Sequence, residues 1–168
     1  MGAQGTRAID VARRAELVYA VHEYAHDGRS SLRDGGRGYA LEAVQALGVE
    51  PGRVFKTIVV AVDSTLGLAV VPADAEVDLK AVADALGGRR AVIADPGAAE
   101  RATGYVLGGI SPLGTRRPLP TAIDESASSW PTIHVSAGRR GLEIELAAED
   151  LVRLTHAVLA PVARRGTR

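Results

Sequence analysis

The sequence predicts a mixed α/β domain, a sheet flanked by helices, and three observations carry that reading. Val54 to Val62 and Leu66 to Val71 are rich in β-branched residues and sit either side of the turn-like Asp63-Ser64-Thr65, so they read as two strands. Several segments, among them Asp78 to Leu86 and Pro96 to Thr103, carry helical spacing with stop and start residues at their ends. Helices and strands alternate without a strict βαβ rhythm, which favours a mixed sheet over an all-parallel one.

The elements follow in order. Residues 1–7 read as a loose tail. Ile9, Ala12, Leu17 and Ala20 give Ile9 to Ala20 a helical pattern behind a Thr6 cap. Tyr19 to His26 alternates and reads as a short strand, and Asp27 to Gly38 is a polar, glycine-rich loop. Tyr39 to Leu47 reads as a helix stopped by Gly48 and Pro51. Asp78 to Leu86 is amphipathic and closes at Gly87-Gly88, and Ala91 to Ala94 reads as a short buried strand. Asp95 stands at the cap position of a helix over Pro96 to Thr103, with proline at its first turn. Gly104 to Pro120 holds too many glycines and prolines for a regular helix. Thr121 to Ile123, Ile133 to Ser136 and Leu142 to Leu146 read as strands, Asp150 to Ala160 as a closing helix, and Arg164 to Arg168 as a frayed tail. No internal repeat or linker divides the chain, so residues 1–168 are expected to form one domain.

Composition narrows the function classes. The chain has 168 residues, of which 46% are hydrophobic, enough for a buried core. Aromatic residues are only 4%, so that core is built from Ala, Val, Leu and Ile. With no cysteine, a disulfide, a thiolate metal site and a cysteine nucleophile are all excluded. The charged stretch Met1 to Arg14 shows no export signal, and no run approaches the roughly 18 apolar residues of a membrane span, so a cytoplasmic protein is expected. The formal net charge is zero, which argues against the broad basic field of a DNA-binding protein. Local pairs such as Arg89–Arg90, Arg116–Arg117 and Arg139–Arg140 remain available to phosphates.

Three segments offer chemistry. In Val54-Phe55-Lys56-Thr57 a lysine opens an apolar strand; it either snorkels at an edge or holds a phosphate or carboxylate at a pocket mouth. Gly108-Gly109-Ile110-Ser111-Pro112-Leu113-Gly114 is either a structural turn or a loop that brings main-chain N–H groups close to an oxyanion. Val135-Ser136-Ala137-Gly138-Arg139-Arg140-Gly141 places a serine at a strand end, without a neighbouring histidine or a G-x-S-x-G elbow, so no serine triad is indicated. His22, Tyr24 and His26 share one face of a strand, but no carboxylate completes a standard ligand spacing, and no metal is expected. His134 and His156 read as structural. Asp124-Glu125 and Glu143-x-Glu145 read as a turn and a solvated strand face.

Taken in order, these segments resemble the YbaK family, the freestanding relatives of the editing domain inserted into bacterial prolyl-tRNA synthetases. The resemblance rests on His22-Glu23-Tyr24-Ala25-His26-Asp27, Val54 to Thr57, Asp78-Leu79-Lys80, Thr103 to Gly114, Leu119-Pro120-Thr121 and Val135 to Leu142. It implies a mixed barrel-like sheet with an open pocket, and hydrolysis of a mischarged aminoacyl-tRNA, typically cysteine on proline tRNA, without metal, cofactor or enzyme nucleophile. Lys56 matches the family's essential lysine, which helps hold the terminal nucleotide. Gly108 opens a G-x-x-x-P loop ending at Pro112, whose amides, from Gly108 through Gly109, Ile110 and Ser111, address the aminoacyl carbonyl. Tyr24, Tyr39, Thr57 and Ser136 fall at pocket positions. The family often has Phe where Tyr39 stands, Asp where Glu143 stands, and Gly and Lys where Ala137 and Arg139 stand, which leaves side-chain specificity open. The expected partners are the aminoacylated 3′ end of tRNA and prolyl-tRNA synthetase. Deacylation of another charged amino acid such as alanine, and a non-catalytic tRNA-binding module, are the competing readings.

Overall fold

The computed structural model describes residues 5–25 and 37–165. Helix α1 (Arg7–Arg14) starts where the sequence places it: Thr6 Oγ1 accepts the Ile9 amide at 3.1 Å. It stops earlier than the periodicity predicts. Glu16 takes a left-handed φ of 56°, its amide donates to the Arg13 carbonyl and that of Leu17 to Ala12. This is a Schellman stop made without glycine. It turns Leu17 onto the core and frees the chain to begin β1 (Tyr19–Glu23). His26 and most of the polar loop expected over 27–38 lie outside the described residues.

Helix α2 (Arg37–Leu47) and a single 3-10 turn, Pro51–Arg53, lead into β2 (Phe55–Val62). A tight turn at Asp63-Ser64 returns the chain as β3 (Thr65–Pro72). Asp63 also accepts the amides of Arg89 and Arg90 at 3.1 and 3.0 Å. Then come β4 (Glu76–Val77), α3 (Leu79–Ala85) capped by Asp78, β5 (Ala91–Ile93), and α4 (Pro96–Thr103) capped by Asp95 at 3.0 Å to the Ala98 amide. After the irregular stretch to Pro120 the chain forms β6 (Thr121–Asp124), a 3-10 turn over Glu125–Ser129, β7 (Ile133–Arg139), β8 (Leu142–Leu146), α5 (Ala148–Thr155), β9 (Val158–Ala160) and β10 (Ala163–Arg164).

Three corrections concern ends and edges. The closing helix does not run to Ala160: His156 adopts φ 55°, and the chain leaves as β9, parallel to β6. Arg164 is not frayed but pairs with Glu76. The strand at Ala91 is not fully buried; Val92 and Ile93 are 42% and 52% exposed, because β5 is the outermost strand of its sheet.

The strands form a mixed five-stranded sheet in the order β5-β2-β3-β6-β9 and an antiparallel three-stranded sheet, β1-β8-β7. A parallel bridge from Val54 to His134 links the two, and β10 pairs with β4. The main core lies between the two sheets and includes Phe55, Leu68, Ile123, Ile133, Ile144 and Leu151. A second cluster, with Val60, Val71, Val82 and Val162, packs α3 and the chain end on the outer face of the larger sheet. Strand alternation accounts for this division: Phe55 and Val59 go to one cluster, Val60 and Val62 to the other.

Asp124 ties the C-terminal strands to this frame. It is buried, and its Oδ1 accepts the amides of Val162 and Ala163 at 3.1 and 3.0 Å, while Oδ2 accepts Ser126 Oγ and its amide. Asp124→Ala leaves these donors without an acceptor. It is expected to lower unfolding free energy by about 2–4 kcal/mol in urea titration, at the upper end for hydrogen bonds to a charged group.

Candidate functional site

The site begins with a mismatch of strand lengths. Along its outer edge β2 is paired by β5 only at Val60 to Val62, and the Ala94 amide reaches the Val59 carbonyl. There Asp95-Pro96 turns the chain away into α4. The edge from Lys56 to Ile58 is left open, and a pocket of about 190 Å³ forms in the gap. Its walls are β2 from Lys56 to Val59, then Ile93, Ala94, Pro96 and Ala99, the loop residues Leu107, Gly108 and Ile110, and Tyr39 from α2.

The loop wall is held by its own chain. Glu100 Oε2 accepts the Leu107 amide at 3.0 Å, and the Tyr105 hydroxyl donates to the Leu113 carbonyl at 2.7 Å. Burial pushes the Tyr105 phenol up to about 12, so it remains a donor. Gly108 has φ 90°, a conformation that favours glycine, and a Cβ there would lie about 3.0 Å from the Arg140 side chain and 3.1 Å from Tyr39. At Gly109 a Cβ would lie 2.6 Å from the Arg139 backbone. The two glycines therefore let the loop sit directly on the β7–β8 hairpin.

Of the residues singled out from sequence, Lys56, Thr57, Tyr39, Gly108 and Ile110 line this one pocket. The lysine and the glycine loop thus meet at one cavity. The Thr57 hydroxyl is buried and has no hydrogen-bond partner among the described residues. An unmet buried hydroxyl costs about 1–3 kcal/mol, which a ligand contact would recover. Among the described residues, the amides of Gly108 and Ile110 donate to no protein acceptor, whereas that of Gly109 donates to Val106 at 3.0 Å.

The other candidates stand outside the cavity wall. Ser111 is buried and its Oγ accepts the Leu113 amide at 3.2 Å, which shapes the turn before Gly114. Pro112 is buried behind it. Ser136 Oγ accepts the Gly138 amide at 3.1 Å at the bulge of β7. Tyr24 packs against a small cluster formed by Ala40, Ala43, Val54 and Ala73. Burial and the carboxylates of Glu143 and Glu42 push its phenol well above the ordinary value.

Two residues carry more than the sequence suggested. The Arg140 guanidinium stacks on Tyr39, 4.5 Å from the ring centroid, with Nε and Nη2 buried and lacking an acceptor among the described residues. Glu143 was expected on a solvated strand face, yet it is 7% exposed. The alternation Leu142-x-Ile144-x-Leu146 identifies the core face correctly, but does not reveal that Glu143, on the opposite one, is buried as well. Burial raises the Glu143 carboxyl to about 8, so it carries a proton near neutrality.

The mixed α/β domain thus holds a pocket whose described lining brings together a lysine, a hydroxyl without a partner and a glycine loop, and carries no histidine, aspartate or glutamate. Comparison with known proteins gives this domain its family. Residues 38–154 match the model of the aminoacyl-tRNA editing domain, and the chain belongs to that family. A relative from Enterococcus faecalis, which carries the provisional name Cys-tRNA(Pro)/Cys-tRNA(Cys) deacylase EbsC, is 34% identical over 165 residues, 96% of this chain and 95% of its own. A solved structure described as a candidate trans-editing enzyme for prolyl tRNA synthetase superposes with a TM-score of 0.77 at 24% identity, covering 95% of this chain and 96% of that one. Another, of a hypothetical protein, reaches 0.80 at 22% identity over 94% and 99%. These two likenesses bear out the mixed α/β fold expected from the YbaK resemblance.

Two predictions follow from the geometry. Gly108→Ala, which strains the loop and presses on Arg140 and Tyr39, should cut ester hydrolysis by about tenfold or more, equivalent to ~1.4 kcal/mol in the transition state, in a steady-state assay. Glu143 binds its proton more tightly in the folded chain, so its burial costs nothing below about pH 4.5. The cost then grows as pH rises to about 8, by up to ~1.4 kcal/mol per pH unit. Glu143→Gln should therefore gain stability relative to the parent at pH 8.5 and show a smaller difference at pH 5, measured by chemical denaturation at both.

Proposed function

We propose that this chain hydrolyses the ester of cysteine mischarged onto proline tRNA, and that residues 1–168 act as one editing domain in the cytoplasm. The observation that carries this reading is that Lys56, Thr57, Gly108 and Ile110 line one small cavity. At about 190 Å³ it is smaller than the roughly 300–1,000 Å³ clefts that enclose drug-sized ligands, so it suits an aminoacyl group with the nucleotide held outside. Lys56 supplies the point charge for the 3′-terminal nucleotide. The free amides accept the charge that develops on the carbonyl oxygen.

The nucleophile comes from the substrate. Among the described lining residues the only hydroxyls belong to Thr57 and Tyr39, and there is no histidine, aspartate or glutamate to activate either one. The cysteinyl thiolate attacks its own carbonyl carbon, the ester C–O bond breaks, and the ribose oxygen leaves with a proton from solvent. The cyclic thioester then opens in water. Holding the reacting atoms together in this way accounts for the rate without a catalytic base. The relative named as a Cys-tRNA(Pro)/Cys-tRNA(Cys) deacylase supports the same substrate. Because the chain carries no net charge, its affinity for tRNA alone is weak, and prolyl-tRNA synthetase is the partner that would deliver the substrate.

Lys56→Ala should retain the fold and lower deacylation of Cys-tRNA(Pro) by about 10²–10³-fold, the usual loss for one electrostatic contact in a protected site. On the parent protein, Ser- and Ala-charged proline tRNA should remain intact while the cysteinyl ester is cleaved; rapid release of serine would instead assign the attack to water.

A further inference from the structure

Away from the pocket, the polar face of the three-stranded sheet gathers a second set of residues. His134 on β7 lies directly opposite Glu145 on β8, and His22 on β1 lies diagonally across, paired with Glu143. Strand alternation puts all three on one face. One ring nitrogen of each histidine and a carboxylate oxygen of Glu145 fall within 4.8 Å of one another. His22 Nε2 is 2.9 Å from Glu145 Oε1, and the two imidazole centroids are 5.3 Å apart.

His134 is only 3% exposed, yet its Nδ1 has no hydrogen-bond partner among the described residues. Glu145 is oriented from behind. Its Oε2 accepts the Thr132 hydroxyl at 2.6 Å and lies 3.4 Å from Arg53 Nη2, which leaves Oε1 turned toward His22. Fixing a carboxylate through its second oxygen is what outer-shell partners do around bound metals.

We infer that His22, His134 and Glu145 form a binding site for a divalent d-block ion, zinc(II) foremost. Two imidazoles and one carboxylate suit zinc and its neighbours rather than magnesium or calcium, and water fills the fourth position on the exposed side of His22. The ion takes the place of the proton between His22 and Glu145, and small side-chain rotations close the ligand atoms to the ~3.4 Å that tetrahedral bonds of about 2.1 Å require. The Arg53 charge on the far oxygen opposes the ion, so the affinity is weaker than that of a closed structural site. None of the three residues lines the pocket, so the ion would pin β1 to the β8–β7 pair and take no part in the ester chemistry.

The test is a titration of the full untagged chain with zinc(II) against a chromophoric chelator, with cobalt(II) as a spectroscopic substitute. One equivalent should bind, cobalt should give the visible bands of a tetrahedral site, and His22→Ala and Glu145→Gln should each weaken binding by at least about tenfold. His22 is half-exposed, so its variant is expected to fold, and circular dichroism checks that it does. No binding by the parent protein overturns the site. So does binding that persists in both variants but disappears in His26→Ala.

Discussion

The pocket exists because β2 continues past the end of its edge neighbour while Asp95 and Pro96 turn the chain into α4. A strand edge left open in this way normally invites pairing with another chain. Here a loop and a helix close around it instead. Tyr39, Leu107, Gly108 and Ile110 cover the opening from one side, and Ala94 to Ala99 from the other. The open edge becomes a cavity wall, lined by Lys56 and Thr57, which would otherwise be routine strand positions.

That arrangement depends on how closely the loop approaches the second sheet. A Cβ at Gly109 would meet the Arg139 backbone and one at Gly108 the Arg140 and Tyr39 side chains, so the loop wall lies directly on the β7–β8 hairpin. Tyr105 and Glu100 hold the loop from its other side. Main-chain dipoles lower a barrier most when they are fixed before a substrate arrives, and the amides of Gly108 and Ile110 have no acceptor among the described residues. The polar face of the smaller sheet is equally constrained. Glu143 is kept protonated by burial, while Glu145, two residues on, is kept charged by Thr132 and His22.

Most of the fold was legible in the sequence because its signals are local. The caps at Thr6 and Asp95, the β-branched runs of β2 and β3, and the glycine-rich loop after α4 all fall where the residue patterns put them. The misreadings share one cause, a tertiary contact that overrides a local pattern. Leu17 leaves the helical repeat to reach the core, and β9 takes over the end of an apparent helix because β6 offers it a free edge. Of the residues singled out from sequence, Lys56, Thr57, Tyr39, Gly108 and Ile110 line one cavity. Ser111 and Ser136 turned inward to shape their own turns, a choice that a hydroxyl's neighbours make and its sequence position does not reveal. The burial of Glu143 was not foreseen because alternation reports one buried face and is silent about a second.

The central claim is that Lys56 and the amides near Gly108 address the two ends of one ester. The most direct measurement is an NMR titration of the labelled protein with a 3′-cysteinylamido-adenosine, in which an amide replaces the scissile ester. The account predicts that the Gly108 and Ile110 amide signals and the Lys56 side-chain signals shift together with a single saturation curve. Shifts confined to a region away from these residues, or lysine and loop signals that follow different curves, would contradict it.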